Sequence, residues 1–181
     1  MQERGWYAVE VASPTFSRVV IGDLPAKEVR EAVVVTQHPC PRYMHMFSTH
    51  KVYFLDPALG PVLPMQYVLC YEYEQNTKDE DGKLTISARH IRRWGRVKEI
   101  LYDIRPDEYA SVPELTGLTR DNQFWPEIQQ WENTYVVVLE SIGYFAEVLP
   151  FRAWQKPREY HNMTTTMDRV RNAAYMEDLF L

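Results

Sequence analysis

The chain has 181 residues, of which 45% are hydrophobic and 25% are charged, and its formal net charge is −5. This composition excludes a mostly disordered protein, and the length suits one domain with a hydrophobic core. No apolar run reaches the ~20 residues that a membrane-spanning helix requires, because glutamates interrupt even the longest run, 135–149. We therefore expect one domain, residues 1–181, that does not enter a membrane.

The N-terminus and the cysteines indicate the cellular compartment. Residues 1–6 have neither the basic nor the apolar stretch of a signal peptide. Cys40 and Cys70 form no CxxC pair, which favours free thiols over a structural disulfide. These features predict a cytoplasmic protein.

Patterns typical of β-structure dominate the first half of the chain. Strands are predicted at 6–11, 18–21, 33–35 and 51–55. Asp23 is expected to cap a short helix over 26–32. At 67–73, tyrosine or leucine occupies every second position, as in a strand with two unlike faces. The alternation returns at 84–88 after a polar turn, so the two runs predict a β-hairpin.

Helical patterns become more frequent in the second half. Large apolar residues recur at spacings of three or four between 88 and 104, which predicts a helix there. A second helix is expected over 121–131, and strands are expected at 135–139 and 144–151. These two strands would be joined by a turn at Gly143.

The C-terminal segment 165–180 predicts an amphipathic helix, because Thr165 and Asp168 are spaced like a capping box. With strands early and helices late, we predict the α+β class. The expected architecture is an antiparallel sheet built from hairpins, packed against two or three helices.

Residues that could carry catalysis or bind a metal occur in two places. His38, Cys40, His45 and His50 are types that bind zinc, and Cys40 with a histidine could also form a nucleophilic site. Their spacing matches no zinc signature, so the alternative is scattered histidines in a loop. Glu72 and Glu74 share a strand face, where solvated carboxylates are the simpler interpretation. An enzyme centred on Cys40, His45, His50 or Glu72 stays an alternative, and no cofactor or metal is predicted.

A basic segment and an acidic segment adjoin each other. Residues 83–105 carry seven Lys or Arg and two Asp or Glu, whereas 106–151 carry one and eight. On a helix, Arg89, Arg92, Arg93 and Arg96 would share one face and could bind phosphates, with Trp94 stacking on a base. Internal pairing with the acidic segment is the competing interpretation. Nucleic-acid binding through these arginines is therefore an alternative function.

The acidic segment also contains large aromatic residues, a combination that suits docking on a basic target. At helical spacing, Phe124, Ile128 and Trp131 share a stripe that is more typical of a buried core than of an interface. The residues predicted to bind a partner are Asp107, Glu108, Glu114, Trp125, Glu127, Trp131 and Glu132.

The chain contains no phosphate-binding glycine loop, HExxH, GxSxG or paired CxxC motif. The preferred hypothesis is thus a non-catalytic acidic protein that binds and blocks a protein partner with a basic or nucleic-acid-binding surface. Immunity proteins, antitoxins and viral inhibitors of host defence belong to this class, and the comparison with them is one of charge and size.

Overall fold

The fold is a mostly-sheet structure with few and short helices. The computed structural model describes residues 16–37, 51–55, 63–73, 77–78, 80–82, 84–85, 89–118, 126, 134–150 and 163–180. Its strands are β1 (Ser17–Val20), β2 (Arg30–Gln37), β3 (Val52–Leu55), β4 (Met65–Tyr73), β5 (Thr77–Lys78), β6 (Leu84–Thr85), β7 (Arg89–Ile104), β8 (Thr134–Pro150) and β9 (Met163–Thr165). Two predictions, a strand at 6–11 and a helix at 121–131, lie outside the described residues, apart from residue 126.

Seven strands form one mixed sheet in the order β3-β8-β7-β4-β2-β9, with β1 paired to β7. The strands β2 and β4 run parallel, so the predicted all-antiparallel sheet is wrong. The chain crosses from β2 to β3 at the far edge before it returns as β4, and such a crossover allows the parallel arrangement. The antiparallel partner of β4 is β7, and β6 pairs instead with β5 in a separate two-stranded sheet.

The segment predicted as a helix over 88–104 is the 16-residue strand β7. Its side chains are alternately buried and more exposed from Ile91 to Glu99, as the pleat of a strand requires. Beyond Glu99 both faces of β7 are covered, so Ile100 and Leu101 are buried in different core clusters, and a register shift precedes Ile104; together these give the apolar residues their helical spacing. The helix prediction is therefore wrong.

The predicted turn at Gly143 does not form, because 134–150 is one continuous strand, β8. Gly143 lies directly opposite Trp94 of β7. A Cβ atom at Gly143 would come within 3.0 Å of three atoms of the Trp94 ring. The glycine thus leaves room for the indole beside β8. The same ring makes an edge contact with Tyr67 of β4, with 6.1 Å between ring centroids.

Helices occupy little of the described chain. The predicted helix at 26–32 is reduced to a 3-10 helix, Ala26–Glu28, preceded by another, Ile21–Asp23, since β2 already begins at Arg30. The C-terminal segment holds an α-helix, α1 (Met167–Asn172), followed by the 3-10 helix Met176–Phe180. Thr166 caps α1, with its side chain accepting a hydrogen bond from the backbone of Arg169.

The two faces of the sheet are covered by different elements. One face packs against the first 3-10 helix through residues that include Ile21, Val33, Val35, Cys70 and Val137. On the opposite face, the 3-10 helices Pro106–Ser111 and Pro113–Leu118 cover one end, and α1 with Met176–Phe180 covers the other. The strip of sheet between these two covers carries half-buried and exposed side chains.

Candidate functional site

Three of the acidic residues predicted to bind a partner form ion pairs within the chain. Arg105 Nε lies 3.4 Å from Asp107 Oδ1 and 3.9 Å from Glu108 Oε2. Glu108 also accepts a hydrogen bond of 3.0 Å from the backbone N–H of Arg105, so it caps the 3-10 helix that follows. Glu114 lies 3.3 Å from Lys98 Nζ. Asp107 alone of these three acids is largely exposed.

The remaining residues of that predicted surface, Trp125, Glu127, Trp131 and Glu132, lie outside the described residues. The same holds for His38, Cys40, His45 and His50. Cys70 lies in the core with no solvent exposure. Within the described ranges, no three His, Cys, Asp or Glu side chains are grouped so that they could hold a metal ion.

The expected single-faced stripe of arginines does not form, because β7 is a strand and distributes its side chains over both faces. Arg93 is 8% exposed, and its guanidinium lies 5.4 Å from the centre of the Tyr144 ring. Arg92 is half-buried and Arg96 is exposed, while nothing is described of the side chain of Arg89. The geometric basis for a phosphate-binding stripe is therefore absent from the described part of β7.

Ion pairs connect the basic segment to the acidic segment. Arg96 Nε lies 3.3 Å from Glu140 Oε2 across β7 and β8, and Lys98 pairs with Glu114. The alternative of internal pairing is thus realised for both cations. Because Glu114 and Glu140 are paired in this way, a partner would contact other acids of the acidic segment.

The distal half of β8 contains a long β-bulge. Arg93 pairs with Tyr144 and Ile91 pairs with Leu149, so the residues between them, 145–148, stand opposite Arg92 alone. A bulge of this kind bends the strand and redirects its side chains, and bulges are frequent near functional sites. We refer to 145–148 as the bulge segment.

The bulge segment presents an acidic and apolar surface. Tyr144, immediately before it, is 56% exposed, and Val148 at its end is 45% exposed. Ala146 and Glu147 are exposed as well, whereas Phe145 packs towards the core under α1. Within the described part of the chain, Glu147 forms no ion pair. In sequence, this exposed carboxylate lies between Tyr144 and Val148, two large apolar side chains that are open to solvent.

Sequence patterns did not single out this surface. Glu147 belonged to the acidic segment, but the alternation around it predicted an ordinary strand after a turn. The available signal was Gly143 within an apolar run that is too long for one face of a regular strand.

Comparison with known proteins gives no match: no family model, curated protein or solved structure is similar to this chain. Among the described helices, none combines the length and the hydropathy that crossing a membrane demands. The function must therefore be argued from the surface itself.

Proposed function

We propose that this protein is a non-catalytic acidic interaction protein, of the inhibitor or immunity type, that binds and blocks a basic partner protein. The single observation that carries the proposal is the bulge segment, with Glu147 exposed between Tyr144 and Val148. A cytoplasmic location is part of the same proposal. The proposal also includes four residues that precede β8 in the chain and are assigned to the partner surface from the sequence pattern: Trp125, Glu127, Trp131 and Glu132.

Charge and exposed apolar surface have separate roles in such binding. The acidic segment attracts a basic partner over a distance, which raises the association rate at low salt. Aromatic and aliphatic groups at the centre of an interface then supply most of the affinity by losing their contact with water. Tyr144 suits this anchoring role because its ring is already held on one side by Arg93. Little side-chain entropy is then lost when a partner covers the other side.

The test is a titration with a labelled peptide of alternating lysine and valine, read by fluorescence anisotropy at low salt. We expect binding that weakens as the salt concentration rises, and a loss of about tenfold in affinity for Glu147→Lys. Glu80→Lys is the matched control, because Glu80 is exposed in the turn between β5 and β6. Val148→Ser should weaken binding at all salt concentrations without disturbing Arg93.

Three results would contradict the proposal. One is equal affinity for a peptide of alternating glutamate and valine. Another is equal loss of affinity from Glu147→Lys and Glu80→Lys. The third is tight binding of a single-stranded oligonucleotide that the lysine peptide does not displace, since this would favour the nucleic-acid alternative. Charge reversal at Glu127 and Glu132, measured in the same titration, tests whether the partner surface extends beyond β8: a loss of peptide affinity would show that it does.

A further inference from the structure

On the side of β7 that does not face β8, two different strands pair with β7 in succession, and a gap in the sheet lies between them. Strand β4 pairs with β7 as far as Arg96, and β1 takes over at Glu99. Val97 and Lys98 lie between these two neighbours, and no described strand faces them on that side. The 3-10 helix Ile21–Asp23, directly after β1, packs against β7 beside this gap.

A cavity of about 480 Å³ opens at this gap. Its lining includes the apolar side chains of Val20, Leu24 and Val29 and the polar side chains of Tyr67, Arg96 and Lys98. A volume of this size is within the range of pockets that hold small molecules. A lining that combines apolar side chains with two cations predicts a ligand with an apolar body and an anionic end.

The two cations are held by carboxylates that a ligand could replace at low cost. Arg96 Nε lies 3.3 Å from Glu140 Oε2, and the two side chains are 60% and 58% exposed. Lys98 is also more than half exposed in its contact with Glu114. Exposed ion pairs of this type contribute little to stability. An anion that enters the cavity therefore competes with weak partners.

We propose that this gap is a binding site for a small amphipathic organic anion, such as a medium-chain carboxylate. Its charged group pairs with Arg96 and Lys98, and its chain covers Val20, Leu24 and Val29. Glu140 also lines the cavity and disfavours a second negative charge. The site is separate from the bulge segment, and the inference does not rest on the proposed function.

The experiment compares octanoate, octanol and octylamine by calorimetric titration below their aggregation concentrations. These probes share a chain and differ only in the charge of the head group. We expect octanoate to bind at least tenfold more tightly than octylamine, with octanol between them. Arg96→Gln and Lys98→Gln should each weaken octanoate binding about fivefold and leave octanol binding unchanged. Lys27→Gln is the control, because Lys27 is exposed on the adjacent 3-10 helix but does not line the cavity.

Circular dichroism and thermal unfolding verify that each variant is folded, and Arg96→Lys should retain most of the octanoate affinity. The inference is overturned if octanoate and octylamine bind equally, or if octanoate does not bind. It is also overturned if folded Arg96→Gln binds octanoate as the unmodified protein does. None of these variants changes Glu147 or Val148, so failure here is distinguishable from failure of the lysine-peptide test.

Discussion

Gly143→Ala tests the close packing of Trp94 across β8. The new methyl group would lie within 3.0 Å of three indole atoms, including Nε1 at 2.8 Å, so the ring must move. Overpacking of this kind costs about 1–3 kcal/mol. A displaced indole also loses its edge contact with Tyr67, which adds about 0.5–1.5 kcal/mol. We therefore expect the free energy of unfolding to fall by about 2–4 kcal/mol.

Urea denaturation monitored by circular dichroism measures this change, and near-ultraviolet spectra report the environment of the indole. Gly22→Ala is the matched control, because a Cβ atom there has nothing within 4 Å. The control should change stability by no more than about 0.5 kcal/mol. Combining Gly143→Ala with Trp94→Leu completes a double-mutant cycle, in which the penalty of the alanine should largely disappear.

Two results would refute this reasoning. The first is a loss in Gly143→Ala no larger than that in Gly22→Ala. The second is a penalty of the same size when Trp94 has been replaced by leucine, since the cost would then arise from the strand backbone and not from the ring.

A helix cap, a buried ion pair and alkaline pH give three further tests. Thr166→Ala removes the oxygen that accepts from the Arg169 backbone at 3.2 Å, and urea titrations should show a loss of about 1 kcal/mol. Arg18→Met deprives Glu99, 3% exposed, of its ion pair and should cost about 1–3 kcal/mol, so unchanged stability would contradict this role. Burial raises the pKa of Tyr109 above its ordinary 10.0. Because the unfolded chain then loses this proton first, stability should fall as pH rises above about 10. Thermal melts between about pH 9 and pH 11 should show that the stability of Tyr109→Phe falls less steeply with pH than that of the unmodified protein. An equally steep fall would contradict this role of Tyr109.

The sequence predicted the strands more successfully than it predicted their pairing. The runs at 18–21, 33–35, 51–55 and 67–73 all correspond to strands in the structure. Local alternation and β-branched residues are enough to indicate such segments. The parallel pairing of β2 with β4 depends on where the chain returns after β3, and no local pattern encodes that return.

The error at β7 has a specific physical cause. Three of its buried positions between Ile91 and Glu99 are occupied by Arg93, Gly95 and Glu99, so the alternation of burial is not an alternation of hydrophobicity. Arg93 is covered by the ring of Tyr144, and Glu99 is paired with Arg18 from β1. Each partner lies in a distant part of the sequence. Burial of these charges could not be predicted from β7 itself.

The sequence did not locate the proposed binding surface. The partner-binding residues predicted from the sequence lie within 107–132, whereas the proposal rests on the bulge segment, where one carboxylate, Glu147, adjoins exposed apolar groups. The bulge arises from a mismatch in length between β7 and β8, which only their register reveals. For the same reason, the break between β4 and β1 that opens the cavity left no sequence signal.

The bulge in β8 also affects how readily another strand could pair with the outer edge of the sheet. Strand β3 pairs with β8 only from Tyr135 to Val138, so no described strand covers the outer edge beyond Leu139. An open edge rich in valine and aromatic residues is a template for the addition of identical chains, which leads to aggregates. The displaced backbone of the bulge interrupts that template, and Glu147 places a charge on it. A deletion that straightened this strand would leave a flat edge with regular backbone hydrogen-bonding groups, to which further strands could pair.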